Sequence, residues 1–420
     1  MDIQYLKCLS TIDFKYRKEV ENLYEYFTEI SQYKYFILIE IEYLICLGKL
    51  DIFDTLEDET INDLRDIYKK FDSKEYLIIK ENDESFIKYI KNKILEKNLD
   101  KTLINFIHLG ISDEDILLTS NIFRIKKSIS NVILPQINNC LNKIKEKILE
   151  WAKIPLLSIY NGIKGEPTFL GKEFLVFYER IIIQSRKLNN IKYTTKIGGK
   201  NGNFNRHHMA LPNIDWIDFF NKFVKIFSLE RNQYTTGLDH FDNYIEIFDL
   251  LKRINNIFID FCEDLWNYIS REIFNSKHLI IFEEAEANFH LANSFLDLYS
   301  KKLSRTRVQG DNINKFLLES LGLCFSYCLI GYKLFEKGIH LIEIKKNNIE
   351  KELTENYSVI LDGIKTRFKV INFYTEDNLA DIKKKSDLIE KLNKFNEISI
   401  EEKKYILTIT PFNFTGIYKL

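Results

Sequence analysis

The sequence predicts an all-α subunit organised around a central bundle of long helices. Three observations carry that prediction. From Tyr244 to Ser270 there is neither Pro nor Gly, and apolar residues fall at Ile247, Leu251, Ile254, Phe258, Phe261, Leu265 and Tyr268. Their alternating steps of four and three make a heptad seam, the pattern of helices packed side by side. Pro (5) and Gly (15) are scarce in 420 residues, which favours long uninterrupted helices over a turn-rich β fold. Further helical patterns of comparable length cover 170–188, 282–303 and 312–337. At 1.5 Å per residue the central helix would be about 40 Å long. Such a seam asks for other long helices beside it, from this chain or from copies of it, so a homo-oligomer, dimer or tetramer, is expected.

Taken in order, the chain divides into an N-terminal helical part (1–102), a central long-helix part (103–342) and a C-terminal helical part (343–420). In the first part the strongest helical pattern is Glu19–Leu50, ending near Gly48. The segments 54–59 and 80–84 read as loops between short charged helices. In the central part Gly110 can end one helix and Ser112 or Asp113 can cap the next. That next helix runs to about Trp151 and contains Pro135, which predicts a kink. The stretch 153–169 holds Pro155, Gly162, Gly165 and Pro167 and reads as a loop. A polar, Gly-rich loop covers 198–205, a short helix Trp216–Phe227, and a loop 231–237. From about Glu343 the pattern is short amphipathic helices, closing on Thr410-Pro411-Phe412-Asn413.

Charge excludes some functions. With 60 basic and 61 acidic residues the net charge is −1, so no basic excess points to nucleic acid. The six cysteines (Cys8, Cys46, Cys140, Cys262, Cys324, Cys328) are scattered. Cys324 and Cys328 lie one turn apart in an apolar run, as core residues would, and no metal-binding spacing of Cys or His occurs. No signal-peptide pattern opens the sequence, and the apolar run Leu321–Tyr332 is too short for a bilayer. A cytoplasmic protein without cofactor, metal or membrane partner is expected.

Ordered along the chain are Ile154-Pro155-Leu156-Leu157-Ser158; Gly171-Lys172-Glu173; Gly199 with Gly202-Asn203-Phe204-Asn205 and His207; Pro212 with Asp215-Trp216; and Tyr234-Thr235-Thr236. Ile259-Asp260-Phe261 with Asp264, Trp266 and Tyr268, then Leu321-Gly322, then Thr410-Pro411 with Asn413 and Gly416 complete the set. On these residues the chain resembles bacterial adenylosuccinate lyase, of the fumarase/aspartase superfamily, over essentially its full length. The resemblance implies a three-part, nearly all-α subunit, four of which pool their long helices, with each active site assembled from three subunits. The family reaction is β-elimination of fumarate. It needs a base at a carbon-bound proton, an acid at the leaving nitrogen and stabilisation of the carbanion.

The groups that the resemblance assigns to this chemistry are largely missing. The family's mobile loop, G-S-S-x-M-P-x-K-x-N-P, carries the catalytic serine. Here only His278-Leu279-Ile280-Ile281 separate Lys277 from Phe282. The histidine of T-H-G-Q-P aligns with Asn161, which cannot transfer a proton near neutral pH. The histidine of T-N-H-D falls in Asn82-Asp83-Glu84-Ser85. The phosphate-binding S-x-x-x-R pair aligns with Lys315 and Glu319, where an acid would repel a phosphate. The family's Arg-Tyr becomes Lys15-Tyr16, and T-S-E-D becomes Ser112-Asp113-Glu114-Asp115.

Remnants of a ligand site survive in Lys15, Tyr16, His108, Ser112, Lys172, Asn203, Asn205, His207 and Arg307, and each also has a structural reading. His108 beside a helix start can act as a cap. Asn203 and Asn205 can hold a turn. Lys172 and Glu173 can be a solvated pair. His207 and His208 are adjacent and so do not chelate by themselves. Arg307 sits in a basic turn. Three functions remain open. The first is a non-catalytic homologue kept as a helical oligomer or interaction scaffold, partnered by itself or by an intact lyase. The second is a lyase with altered substrate and a relocated base, sought among Asp113, Glu114, Asp115, Glu283 and Glu284. The third is an active adenylosuccinate lyase whose missing groups come from a partner subunit.

Overall fold

A computed structural model describes residues 8–50, 52, 56–275, 277, 279–305, 312–374 and 379–419. The fold is all-α apart from short strands. Short helices α1 (Thr11–Phe14), α2 (Arg17–Val20) and α3 (Tyr24–Phe27) precede α4 (Glu29–Leu47). Next come α5 (Asp58–Lys69), α6 (Ser73–Glu81), α7 (Phe86–Glu96), α8 (Asp113–Ser128) and α9 (Leu134–Glu150). A β-hairpin, β1 (Pro155–Tyr160) and β2 (Ile163–Phe169), leads into α10 (Leu170–Asn189). Strand β3 (Thr194–Thr195), α11 (Asn205–Ala210), α12 (Trp216–Lys225) and strand β4 (Glu230–Arg231) precede α13 (Asp242–Ser270) and α14 (Leu279–Leu303). The chain ends with α15 (Asn312–Glu319), α16 (Leu321–Leu341), α17 (Lys346–Glu355), α18 (Leu361–Val370), α19 (Lys385–Lys394) and α20 (Ile400–Thr408).

Two compact units are formed. One comprises residues 1–137, 184–256 and 287–333, the other 138–183, 257–286 and 334–420. In the first unit, α4 presents Ile37, Ile41 and Leu44 to Leu64 and Ile67 of α5 and to Ile90 and Ile94 of α7, all buried. Thr28 is in extended conformation and caps α4 through its hydroxyl. The single helix expected over 19–50 is therefore broken before Glu29, because a residue that caps one helix cannot continue the previous one. Near Pro135 the expected continuous helix is interrupted. The turn before it, Ile129–Ile133, is a π-helix, which accommodates the missing amide hydrogen and the bulk of the ring.

The expected loop at 153–169 is instead the hairpin. Asn161 and Gly162 both have positive φ (50° and 76°) between the paired residues Tyr160 and Ile163, the conformation a two-residue type I′ turn requires. The helix expected over 312–337 is interrupted at Ser320, whose hydroxyl donates to the Leu317 carbonyl.

The seam on α13 is as predicted in register. Ile247, Leu251, Ile254, Phe258, Phe261 and Leu265 are all buried, and Tyr268 is half-buried. Of the two expected sources of cover, this chain or copies of it, this chain supplies it. In the first unit Phe248 packs on Tyr299, ring centroids 5.3 Å apart. In the second, Phe258 meets Phe335 at 4.8 Å and Phe261 stacks on Phe177 at 4.2 Å. The seam is consumed by the chain's own core, so it carries no argument for association. The apolar segment near Leu321 also proves longer than its sequence run. Ile313–Leu341 is long and apolar enough by length and composition to cross a membrane, yet half of it is buried within the protein. Phe325 packs on Phe27, and Gly331 lies where a Cβ would strike Phe289, as in a core helix.

Candidate functional site

The sequence-derived candidates divide between the two units. The first unit holds Lys15, Tyr16, His108, Ser112, Asp113, Asn203, Asn205, His207, Lys315 and Glu319, and the second holds Asn161 and Lys172. Arg307 lies outside the described residues.

The start of α8 gathers a dense polar cluster. Ser112 caps the helix with a reciprocal box: its hydroxyl accepts from the Asp115 amide (3.3 Å) and its own amide donates to Asp115 Oδ2 (2.9 Å). Asp115 is fully buried and takes four further donors, the Ser112 hydroxyl at 3.0 Å, Lys196 Nζ at 2.6 Å, the Gly198 amide at 3.1 Å and the Gly199 amide at 2.9 Å. Lys196, equally buried, also donates to the Gly199 carbonyl at 2.6 Å. A carboxylate saturated in this way holds the Gly-rich loop onto α8 and has no lone pair left to act as a base. Asp113 and Glu114, by contrast, are exposed.

His108 stands four residues before Ser112, with φ of 61°. Glu40, buried in α4, accepts from the His108 backbone amide and from its Nδ1 (3.1 Å), while Nε2 lies 3.7 Å from Asp113. Burial alone would lower the pKa of this imidazole. The bond to Glu40 and the charges of Glu40, Asp113 and Asp115 outweigh burial and raise it above the ordinary histidine value.

His207, on α11, is fully buried, and neither ring nitrogen has a hydrogen-bond partner. Phe204, Trp216 and Phe220 surround it, with ring centroids 5.8, 4.9 and 5.1 Å away. Burial pushes its pKa down to about 4; the Asp115 charge opposes the shift and those of Arg206 and Lys196 add to it. Its ring fills the space where a Cβ on Gly110 would stand, 2.6 Å from Cδ2. The structure thus uses His207 as a packing plate. Asn203 and Asn205 are exposed, with the Asn203 amide bonded to Asn201 Oδ1 at 3.1 Å. Gly202 brings the loop so close to Thr235 that a Cβ would sit 2.3 Å from its carbonyl oxygen.

Lys15 and Tyr16 lie beside each other, the ammonium 4.8 Å from the ring. Lys315 and Glu319 are exposed one turn apart on α15.

In the second unit Asn161 sits exposed at the hairpin turn, and Lys172 pairs with Glu173 at 3.1 Å. Glu173 also accepts from the Thr168 hydroxyl at 2.8 Å. Thr168 and Glu173 edge a cleft of 640 Å³ whose other walls include Asp264, Tyr268, Arg271 and Glu352; Asn161 and Lys172 do not line it. Burial, with repulsion from Asp260, Glu173 and Glu263, raises the Asp264 pKa to about 6. Arg271 donates to Glu352 (2.7 Å) and to the Leu157 carbonyl (3.2 Å).

The link from α13 to α14 crosses this unit. Ile273 and Phe274 are buried, and Phe274 bridges to Ile344. The Lys345 amide donates to the Ile273 carbonyl at 2.8 Å and the Asn275 amide to the Glu343 carbonyl at 3.0 Å. Among the described residues no group of three or more His, Cys, Asp or Glu could hold a metal ion.

Sequence reasoning missed Glu40, Lys196, Arg271 and Glu352. Only Glu40 gave a signal, since an acid stands at the core phase of an apolar helix between Ile37, Ile41 and Leu44.

An all-α subunit built on long helices, with a capped Ser-Asp-Glu-Asp start packed on a Gly-rich loop, has the form of a fumarase/aspartase-type lyase. A lyase family model matches residues 15–286, and the chain belongs to that family, within the fumarase/aspartase superfamily. Similar relatives are adenylosuccinate lyases. That of Dictyostelium discoideum is 33% identical over 456 positions, covering 99% of this chain and 98% of the relative. That of Escherichia coli K12 is 28% identical over 450 positions, with the same coverage. Solved structures share the fold at low identity. A 3-carboxy-cis,cis-muconate lactonizing enzyme from Pseudomonas putida superposes with TM-score 0.71 at 12% identity, covering 94% of each chain. A fumarate lyase from Mesorhizobium sp. BNC1 superposes with TM-score 0.69 at 10% identity, covering 92% of this chain and 85% of its own.

Proposed function

We propose that this chain is a member of the adenylosuccinate lyase family that does not eliminate fumarate by itself and persists as a helical oligomeric or interaction scaffold, laid out in the family's three parts. The observation that carries the reading is the link between α13 and α14. The family's base rides on a mobile loop, and lids need free backbone to close. Here Ile273 and Phe274 are buried and bonded to the 343–345 segment, and α14 begins at Leu279. Alignment of this 420-residue chain with the Dictyostelium relative spans 456 positions, so the relative carries stretches that this chain lacks. Asn161 supplies a turn and no acid, and Glu319 stands exposed where a phosphate clamp would need a cation.

Association is supported by the outer faces of the long helices. Val176 and Ile183 on α10, and Leu291 and Leu298 on α14, are each more than 40% exposed and are spaced seven apart, as residues facing a second helix would be. The partner is a further copy of this chain or an intact lyase, and six free cysteines suit a reducing cytoplasm. An absorbance assay of fumarate release from adenylosuccinate, with and without an intact lyase, tests the reading. The purified chain alone should show no release. Turnover near that of an ordinary enzyme, about 1 per second or faster, would overturn it.

A second reading, an active lyase with a relocated base, is favoured by one observation. His108 keeps a buried carboxylate partner and remains in reach of solvent.

A further inference from the structure

We propose that Glu40 is the positioning residue of His108. It fixes Nδ1 as the proton-bearing nitrogen and leaves Nε2 free to take up and return a proton, which makes the pair a proton-transfer centre independent of the groups this chain lacks. Four features carry the inference. Glu40 is nearly completely buried, and its hydrogen-bond partners among the described residues are the backbone amide and Nδ1 of His108. A carboxylate oxygen accepts, so Nδ1 must donate, and the tautomer follows. The His108 backbone is left-handed, a conformation a non-glycine residue adopts only when its surroundings over-determine it. The surroundings do so, since the next residue is held as well: the Tyr43 hydroxyl, one turn along α4 from Glu40, donates to the Leu109 carbonyl at 2.7 Å. Finally, Nε2 faces outward, with the side chain 23% exposed.

An imidazole held in this way accepts one proton at Nε2, becomes an imidazolium whose charge Glu40 offsets, and gives the proton back from the same nitrogen. The charged groups around it are Glu40 from α4 and Asp113 and Asp115 from α8. Asp115 is already neutralised by Lys196, and Asp113 is exposed to solvent, so Glu40 dominates. This goes beyond the scaffold reading and survives its failure, because it concerns one imidazole and not fumarate release.

The test is the pH dependence of histidine C2-hydrogen exchange, followed by peptide mass spectrometry on the intact protein, wild type against Glu40→Gln. Gln can still accept from the His108 amide but carries no charge. In the wild type the His108 midpoint should lie above that of an exposed histidine. In Glu40→Gln it should fall clearly below the wild-type value, while Asp113→Asn should shift it less. A wild-type midpoint at or below the ordinary value would overturn the proposal and needs no variant. An unchanged midpoint in a folded Glu40→Gln would show that Glu40 only caps the backbone, and would overturn it equally.

Discussion

Replacing His207 by leucine should make the protein less sensitive to acid. The ring is fully buried, unbonded at both nitrogens and pressed against Gly110 by three aromatic neighbours. It must therefore be neutral in the folded state, and its pKa is pushed down to about 4 from the ordinary 6.5. Above pH 6.5 both folded and unfolded chains hold it neutral, and nothing is lost. Below 6.5 the unfolded chain takes up a proton that the folded chain refuses until about pH 4. Stability then falls by about 1.4 kcal/mol per pH unit across that window, about 3 kcal/mol in all. At pH 5 the loss is about 2 kcal/mol.

Leucine has a similar volume, cannot titrate, and gives up no hydrogen bond made by the ring. At pH 7.5 the variant should lie within about 1.5 kcal/mol of wild type. At pH 5 the balance should move in its favour by about 2 kcal/mol relative to that neutral-pH difference. Urea denaturation read through tryptophan fluorescence is the assay, since the Trp216 ring is 4.9 Å from the imidazole and a change in midpoint at constant slope reports stability. Parallel pH dependences for the two proteins would refute the reasoning. So would a collapse of the variant at pH 7.5, which would mean that the ring nitrogens hold a partner such as an ordered water.

Three further outcomes follow from other sites. Asp115→Asn removes the charge that balances buried Lys196 and weakens both halves of the α8 cap, so a loss of about 3–5 kcal/mol is expected, visible as a lowered melting temperature. Asn161→Val forces a β-branched residue into a left-handed turn position and should cost roughly 1–2 kcal/mol, whereas Asn161→Gly should melt as wild type does. Phe258→Asp places an unpaired charge in the chain's own core, costing several kcal/mol. Circular dichroism should show lost helix rather than a folded monomer released from an oligomer.

Periodicity made the helices legible. α10, α13 and α14 begin and end within a few residues of where the apolar pattern does, because burial on one face writes a 3.6-residue repeat. The pattern could not say whose helices cover the seam of α13, since a heptad looks the same whether its partner is in the same chain or another. The hairpin at 155–169 was hidden by its own punctuation. Pro155, Gly165 and Pro167 read as loop, while Asn161-Gly162, the strongest short hairpin signal, lacked the clean alternation of a half-buried strand: Ile159 and Tyr160 are both exposed. Lys196 and Arg271 were illegible for another reason. Each acts through a residue far away in sequence, Asp115 or Glu352, and no local pattern marks such a pair.

The polar residues that this chain retains from the family motif are mostly those that hold backbone. Asp115 takes the amides of Ser112, Gly198 and Gly199. His207 fills the gap that Gly110 leaves. Any one of them could be kept for folding alone, so their presence says little about chemistry. Groups that serve only a ligand have no such second duty, and on the resemblance those are the ones missing: the lid serine, both family histidines and the phosphate arginine. His108 breaks the pattern. Its backbone amide is a structural contact to Glu40, but the bond to Nδ1 and the outward Nε2 add nothing that the loop needs. A side chain whose orientation is controlled beyond the demands of folding is where residual function is to be sought, and this is why the scaffold reading and the proton-transfer proposal are separable by experiment.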